Sequence, residues 1–228
     1  TESRNLGHRL GPLRDRDVVQ GLMHRLERQA SSRRRRESVR RANVILAASR
    51  SRLVARDHRA EEGVVSAVTS DAENLLDRIE GADFSGVDLC VVLDRCQWLW
   101  RRARDRFQSG VDAPDTDWLR ETRKRVIRLE LGLQPLVTIR PGSLRRSVKT
   151  LKRVSNPLSD GLDLAMLDLL LEPRVAVSDE DGTMAGIVRE VTHRRNRLRR
   201  KALRRGSSAF RRRPREVRKR IEGWWNRF

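Results

Sequence analysis

The sequence has no tyrosine, two cysteines and four histidines among 228 residues. Its apolar runs all fall short of the ~20 residues that a membrane-spanning helix needs, and no signal peptide is visible. We therefore expect a soluble cytoplasmic protein without membrane insertion. Cys90 and Cys96 share one apolar helical stretch with no second pair and no histidine at ligand spacing. This favours small buried residues in a reducing compartment over a disulfide or a metal site.

Groups that could perform catalysis are also scarce. The histidines are scattered, and Asp15 and Asp17 have neither a third carboxylate nor a phosphate-binding loop beside them. Phosphoryl-transfer chemistry at such a site would need further acidic residues to hold a metal ion. We therefore expect a protein that is not an enzyme and that uses no metal and no cofactor.

Positive charge is abundant. Lys and Arg total 51 against 31 acidic residues, which gives a net charge of +20, and only five of the 51 are Lys. A bias in codon usage could explain Arg in place of Lys, but not the excess of cations over acids. Such an excess makes the folded chain repel itself, and an anionic partner would relieve that repulsion. Phosphate polymers, nucleic acid and anionic membrane surfaces all qualify.

Apolar residues recur at intervals of three and four, and the prolines fall at apparent boundaries, so nearly the whole chain is predicted to be helical. Residues 70–73 form a capping box, Asp115 or Thr116 precedes another helix, and Ser143 follows Pro141 and Gly142. Short links between antiparallel helices predict bundles. The predicted helices cover residues 12–30, 37–60, 71–81, 86–109, 117–134, 143–156, 160–172, 182–206 and 214–227.

Two helices carry basic faces opposite apolar stripes. In the helix 117–134 the apolar stripe comprises Leu119, Thr122, Val126, Leu129 and Leu133, and the opposite face carries Arg120, Arg123, Lys124 and Arg128. In the helix 143–156, Arg145, Arg146, Lys149, Lys152 and Arg153 lie opposite Leu144, Val148 and Leu151. Each basic face could simply be solvated. It becomes a binding site only where several helices bring their cations to one place.

Five segments, in order, resemble the CHAD (conserved-histidine α-helical domain) family. The stretch 119–126 is similar to the family motif Leu-His-x-x-Arg-Lys-x-x-Lys, and 98–104 to its aromatic and arginine-rich helix. Residues 10–18 match the family's Leu-Gly-x-x-Arg-Asp-x-Asp-Val element, and 158–167 resemble the counterpart of that element in the second half. The stretch 198–206 and the residues after it resemble the family's C-terminal helices. The resemblance covers essentially the whole chain.

The resemblance implies an all-α fold of two pseudo-symmetric antiparallel four-helix halves around a basic groove. We expect one domain over 1–228, with 1–81 as a first half that is incomplete at its N-terminus and 86–228 as the second half and C-terminal helices. The implied function is non-catalytic binding of inorganic polyphosphate, with possible association with polyphosphate granules. The expected contacts are Arg102, Arg120, Arg123, Lys124, Arg128, Lys149, Lys152 and Arg153.

Three departures from the family pattern keep alternatives open. The family's histidine is replaced by Arg120 and its second lysine by Ile127, and the first motif helix is absent from the sequence, which begins at Thr1 and could be part of a longer chain. A structural or scaffold subunit that has kept the fold without the ligand is therefore one alternative, with a protein partner or a homo-oligomer. Non-specific nucleic-acid binding is another, although the sequence has no helix-turn-helix, zinc or RNA-binding signature.

Overall fold

A computed structural model describes residues 18–30, 32–54, 58–83, 88–112, 114–138, 141–178 and 183–226. These residues are helical apart from turns and short links, and they contain no strand, so the all-α prediction is confirmed. Helix α1 is described over 18–28. The helices after it are α2 (Arg33–Val54), α3 (His58–Glu80), α4 (Leu89–Gln108), α5 (Thr116–Leu133), α6 (Pro141–Ser178), α7 (Thr183–Ala209) and α8 (Pro214–Trp225), with a 3-10 turn at Pro135–Thr138 after α5.

The chain forms two compact units. The first contains the described residues up to 83 together with those between 169 and 188, and the second contains 86–168 and 189–228 as far as they are described. The predicted division of one domain into 1–81 and 86–228 stays a prediction. Residues 10–17, which belong to the element that resembles the family, and residues 179–182 lie outside the described residues.

In the first unit, α1 and α2 each bury one apolar stripe. Residues spaced by three and four lie on one side of a helix, so one side meets the core while the other stays in water. Each of the buried side chains is at most 5% exposed: Val19, Leu22, Met23 and Leu26 on α1, and Val39, Ala42 and Leu46 on α2.

The second unit is built around four aromatic rings in a row. Trp100 meets Phe210 edge-on with the ring centroids 5.8 Å apart, Phe210 lies 5.5 Å from Phe107, and Phe107 lies 5.9 Å from Trp118. Rings at these distances and tilts gain about 0.5–1.5 kcal/mol per pair beyond their burial. The row joins α4 to the start of α5 and to the turn that follows α7.

Side chains on and beside this row donate hydrogen bonds to backbone carbonyls near the points where the chain turns. The indole Nε1 of Trp118 donates to the carbonyls of Arg106 (3.0 Å) and Phe107 (3.1 Å), near the end of α4. The Trp100 indole donates to the Arg212 carbonyl at 3.2 Å, and the Arg104 guanidinium donates to the Phe210 carbonyl at 3.2 Å. These bonds satisfy carbonyls that have no partner within a helix.

The helix boundaries were predicted with mixed success. Asp115 caps α5 as predicted, because its carboxylate accepts the Trp118 N–H at 2.6 Å. The capping box at 70–73 is wrong as a helix start, since these residues lie inside α3. Ser143 is likewise inside α6, which begins at Pro141, where the missing proline N–H costs nothing.

The boundaries predicted between residues 156 and 160 and at Pro173 are also wrong, because α6 runs unbroken from Pro141 to Ser178. A proline inside a helix removes one backbone hydrogen bond and leaves the carbonyl four residues earlier without its donor. For Pro157 that carbonyl belongs to Arg153. The Arg205 guanidinium of α7 donates to it at 2.9 Å, so a side chain from another helix replaces the missing N–H.

One further prediction needs correction. Cys96 is buried, but Cys90 is exposed, so the expected burial of both cysteines is wrong for Cys90. The tryptophans also differ from one another in exposure. Trp100 and Trp118 are buried, but Trp98 and Trp225 are 40% and 39% exposed because they lie outside the stripes that face the core.

The Arg205 bond can be tested with a double-mutant cycle. Arg205→Met should lower the free energy of unfolding by about 1 kcal/mol, because the Arg153 carbonyl loses its donor. With Pro157→Ala, residue 157 regains an N–H for that carbonyl, and the same Arg205→Met change should cost almost nothing. Chemical denaturation of the four proteins measures both effects, and equal costs in the two backgrounds would contradict the assignment.

Gly206 allows close approach between α7 and the aromatic row. A Cβ at this position would collide with the ring of Phe107, which is only 2% exposed and has no room to turn. Gly206→Ala should therefore lower the free energy of unfolding by about 1–3 kcal/mol. Gly223→Ala in α8 is the matched control, since no atom lies within 4 Å of its Cβ position. Its effect should be neutral or stabilising by up to about 1 kcal/mol.

Candidate functional site

Helix α5 presents the motif cations because its apolar stripe is fully buried. Thr122, Val126 and Leu129 are each 0% exposed, Leu133 is 1% and Leu119 is 3%, which confirms the predicted stripe. At about 100° per residue the remaining positions must lie on the sides or the outside of the helix. Arg120, Lys124 and Arg128 are exposed, and Arg123 is half-buried.

One side of α5 lies against α4. A Cβ at Gly132 would lie 2.5 Å from the Leu99 Cδ1 of α4, so the two helices approach closely there. Residues 121, 125, 128 and 132 are spaced by three and four and share this side of α5. Arg125 and Arg128 therefore lie along the contact between α4 and α5.

Four arginines accumulate along this line. The pKa of the Arg125 guanidinium is lowered by burial, and further by the positive charges of Arg102, Arg128 and Arg106, with Glu121 opposing them. Charges that perturb one another must lie close together. We call Arg102, Arg125 and Arg128 the α4–α5 cluster. Among the described residues, no carboxylate lies within ion-pair distance of any of the three.

Arg125 and Arg106 are functional candidates that sequence reasoning missed. Arg125 was overlooked because it adjoins the buried stripe. Its spacing from Glu121 and Arg128 nevertheless places it on the side of α5 that lies against α4. Arg106 was not considered as a site residue because it directly precedes Phe107, which is buried in the core. Arg106 forms an ion pair with Asp117 at 2.7 Å, and its Nε is buried with no partner among the described residues.

An exposed indole lies next to the cluster. The guanidinium carbons of Arg95 and Arg102 lie 4.3 Å and 5.5 Å from the centre of the Trp98 ring, within cation–π distance. Trp98 is 40% exposed, so one aromatic surface remains accessible in a strongly positive environment.

The other side of α5 lies against α6. The Arg123 Nε donates to the Ser159 hydroxyl at 2.7 Å, and the Ser155 hydroxyl donates to Glu130 Oε2 at 3.4 Å. Arg123 is thus anchored by contacts within the fold. Ile127, which replaces the family's second lysine, shares this side of α5 with Arg123 and Glu130. The lost cation therefore belongs to the α6 side and not to the α4–α5 cluster.

The α6 cations are exposed as predicted, but they are not level with Arg123. The two bonds between α5 and α6 show that the helices run antiparallel, with Ser159 beside Arg123 and Ser155 beside Glu130. Lys152 lies seven residues before Ser159, which is about 10 Å along the helix, and Lys149 lies about 15 Å away. Arg153 is on the far side of α6 from Ser155. The predicted contacts other than Arg153 therefore form an elongated basic surface and not one compact site.

The carboxylate of Glu121 partly neutralises this surface beside Lys124. Lys124 donates to Glu121 Oε1 at 2.6 Å. That hydrogen bond holds the pKa of Glu121 below its ordinary value, while partial burial opposes the shift and the charges of Lys124, Arg125 and Arg106 reinforce it. Lys124 is therefore less available to an external anion than the α4–α5 cluster.

Two other features are absent from the described part of the chain. No group of His, Cys, Asp and Glu side chains there could hold a metal ion. None of the described helices combines the length and apolar character that crossing a bilayer requires.

The contribution of the Glu121–Lys124 pair to stability depends on pH. Because the folded-state pKa of Glu121 is lowered, the pair stabilises the fold above the unfolded-state pKa and loses that effect as pH falls through the folded-state pKa. Carboxyl-detected NMR should give Glu121 a pKa below its ordinary value. Lys124→Met should raise it, whereas Lys149→Met should leave it unchanged. An unchanged value in Lys124→Met would contradict the bond.

Comparison with known proteins agrees with the motifs and the helical fold. A search of curated proteins found no match to the chain, and a search of solved structures found none either. The family model described as the CHAD domain matches residues 1–172, which is well over half of the chain. The chain therefore belongs to the CHAD domain family.

Proposed function

We propose that this protein binds inorganic polyphosphate without chemically changing it, through the α4–α5 cluster and the neighbouring outer face of α5. The observation that carries the proposal is the convergence of Arg102, Arg125 and Arg128, with no carboxylate within ion-pair distance among the described residues and with the charges of Arg102 and Arg128 lowering the pKa of Arg125. Polyphosphate binding as a property of the CHAD family supports this choice of anion.

The shape of the basic surface favours a polymer over a single phosphate. Arg120, Arg123 and Lys124 continue from the cluster along α5, and Lys149 and Lys152 extend the positive surface along α6. Arginine engages phosphate oxygens through a planar fork of donors, so successive arginines can contact successive phosphates. Arg153 lies apart from this surface, and its contribution is the weakest of the eight predicted contacts. A cytoplasmic location with association to polyphosphate granules belongs to the same proposal.

The cluster can be tested by comparing two variants that lose the same net charge at different positions. Arg102, Arg125 and Arg128→Gln together should weaken binding of long-chain polyphosphate by about 100-fold or more, because each lost charge-assisted contact costs about 1.5–3 kcal/mol and the losses are not fully additive. Arg145, Arg211 and Arg215→Gln removes the same charge from exposed positions and should change affinity by less than about threefold. Titration calorimetry in a series of salt concentrations makes the comparison.

The salt dependence provides a second readout. Binding driven by counterion release weakens linearly on a logarithmic scale as salt rises, and the slope reports the number of phosphate contacts. The cluster variant should have a distinctly shallower slope than the control variant. Equal affinities and slopes for the two variants would show that the protein acts only as a general polycation. Polyphosphate recovered after incubation should keep its chain length; shortening would contradict a non-catalytic role.

Nucleic-acid binding is a second candidate because Trp98 is exposed between two arginines. An accessible indole can stack on a base, and such stacking contributes about 1–3 kcal/mol per base. Polyphosphate has no base, so Trp98→Ala should leave polyphosphate affinity within about twofold if polyphosphate is the ligand. If single-stranded DNA competes equally well with polyphosphate and Trp98→Ala weakens the binding of DNA about tenfold, nucleic-acid binding would replace polyphosphate binding as the proposed function.

A further inference from the structure

A cavity of about 170 Å³ lies within the second unit, and none of the eight predicted polyphosphate contacts lines it. It is bounded by α4, the end of α5, the first turns of α6, the end of α7 and α8. None of the three arginines of the α4–α5 cluster lines it, so its chemistry is separate from that cluster.

The floor of the cavity is apolar and rigid. It is formed by core residues that are at most 6% exposed, among them Trp100, Leu133, Leu144 and Ile221. The Trp100 ring is fixed by its hydrogen bond to the Arg212 carbonyl and by its edge-on contact with Phe210. An apolar surface that is already ordered can bind an apolar group without the cost of ordering it first.

The rim of the cavity is cationic. Arg146 of α6, Arg212 of the turn and Arg220 of α8 line it, and none of the described lining residues is acidic. The Arg220 guanidinium lies 5.2 Å from the centre of the Trp224 ring, which holds the charge beside an aromatic wall. The hydroxyls of Ser147 and Thr150 donate to the carbonyls of Ser143 (3.1 Å) and Arg146 (2.9 Å) in their own helix, so their hydrogens are already engaged.

We propose that this cavity binds a small amphipathic organic anion, with a compact aromatic or aliphatic body on the Trp100 floor and one carboxylate at the arginine rim. An engineered apolar cavity of about 150 Å³ holds benzene, so the cavity has room for a ligand of benzoate size. Few precisely placed charged groups above an apolar floor are typical of small-molecule sites. A hydrated phosphate polymer would gain nothing from the floor, so this site goes beyond polyphosphate binding and does not depend on it.

The probe for the experiment is 4-fluorobenzoate, followed by ¹⁹F NMR with the full chain. Its neutral counterpart, 4-fluorobenzyl alcohol, has nearly the same shape without the charge. We expect saturable binding of the benzoate and about tenfold or more weaker binding of the alcohol, since a hydrogen bond to a charged group contributes about 1.5–3 kcal/mol. Equal binding of both probes would overturn the assignment to an anion.

Variants locate the site. Arg146→Gln with Arg220→Gln should weaken the benzoate about tenfold and leave the alcohol unchanged, whereas Arg145→Gln with Arg215→Gln, at exposed positions outside the cavity, should change neither. Ser147→Leu places apolar atoms in the cavity and should abolish binding of both probes. Unchanged benzoate binding in either cavity variant would overturn the proposal.

Competition separates the cavity from the basic surface. Excess inorganic polyphosphate should displace less than half of the bound benzoate, and the Arg102, Arg125 and Arg128→Gln variant should bind benzoate normally. Complete displacement by polyphosphate would show that the probe occupies the general basic surface and would overturn the cavity site. Loss of polyphosphate binding without loss of benzoate binding, or the reverse, distinguishes failure of one proposal from failure of the other.

Discussion

Mutual repulsion among cations is the constraint that the structure must satisfy first, since 51 basic side chains are opposed by only 31 acidic ones. The second unit meets it partly by directing guanidinium groups at backbone carbonyls. Arg104, Arg199 and Arg205 donate to carbonyls of other segments at 3.2, 3.2 and 2.9 Å, respectively. A carbonyl oxygen carries partial negative charge, so each bond lowers the repulsion and also fixes one segment against another. These three arginines therefore hold segments of the second unit together.

The cations that remain are distributed by helix geometry. Ion pairs such as Arg195 with Asp168 at 2.8 Å neutralise some of them. The α4–α5 cluster has no such compensation among the described residues, because the close approach at Gly132 brings two basic helix sides together. The resulting positive potential lies on an elongated outer surface, whereas the rim of the cavity places charge above an apolar floor. One excess of arginine thus produces two positively charged environments that differ in shape.

Periodicity was enough to predict the all-α fold, the buried stripe of α5 and the exposed cations opposite it, because both depend on spacing within one helix. The site could not be predicted so well, because it depends on which helix sides meet. Arg125 adjoins the buried stripe, and only the position of α4 beside it shows that it belongs to the site. The separation of Lys152 from Arg123 follows from the antiparallel register of α5 and α6, which spacing within one helix does not contain. Pro157 looked like a helix end, since a sequence does not show that Arg205 supplies the missing donor.

The two cysteines of α4 differ in a way that gives the protein a chemical handle. Burial raises the pKa of the Cys96 thiol to about 11, so only roughly one molecule in ten thousand carries the reactive thiolate there at neutral pH. Cys90 is exposed in the first turn of the same helix. A maleimide dye or spin label should therefore attach at one position without any cysteine being removed, and the label would report from the helix that contributes Trp98 and Arg102.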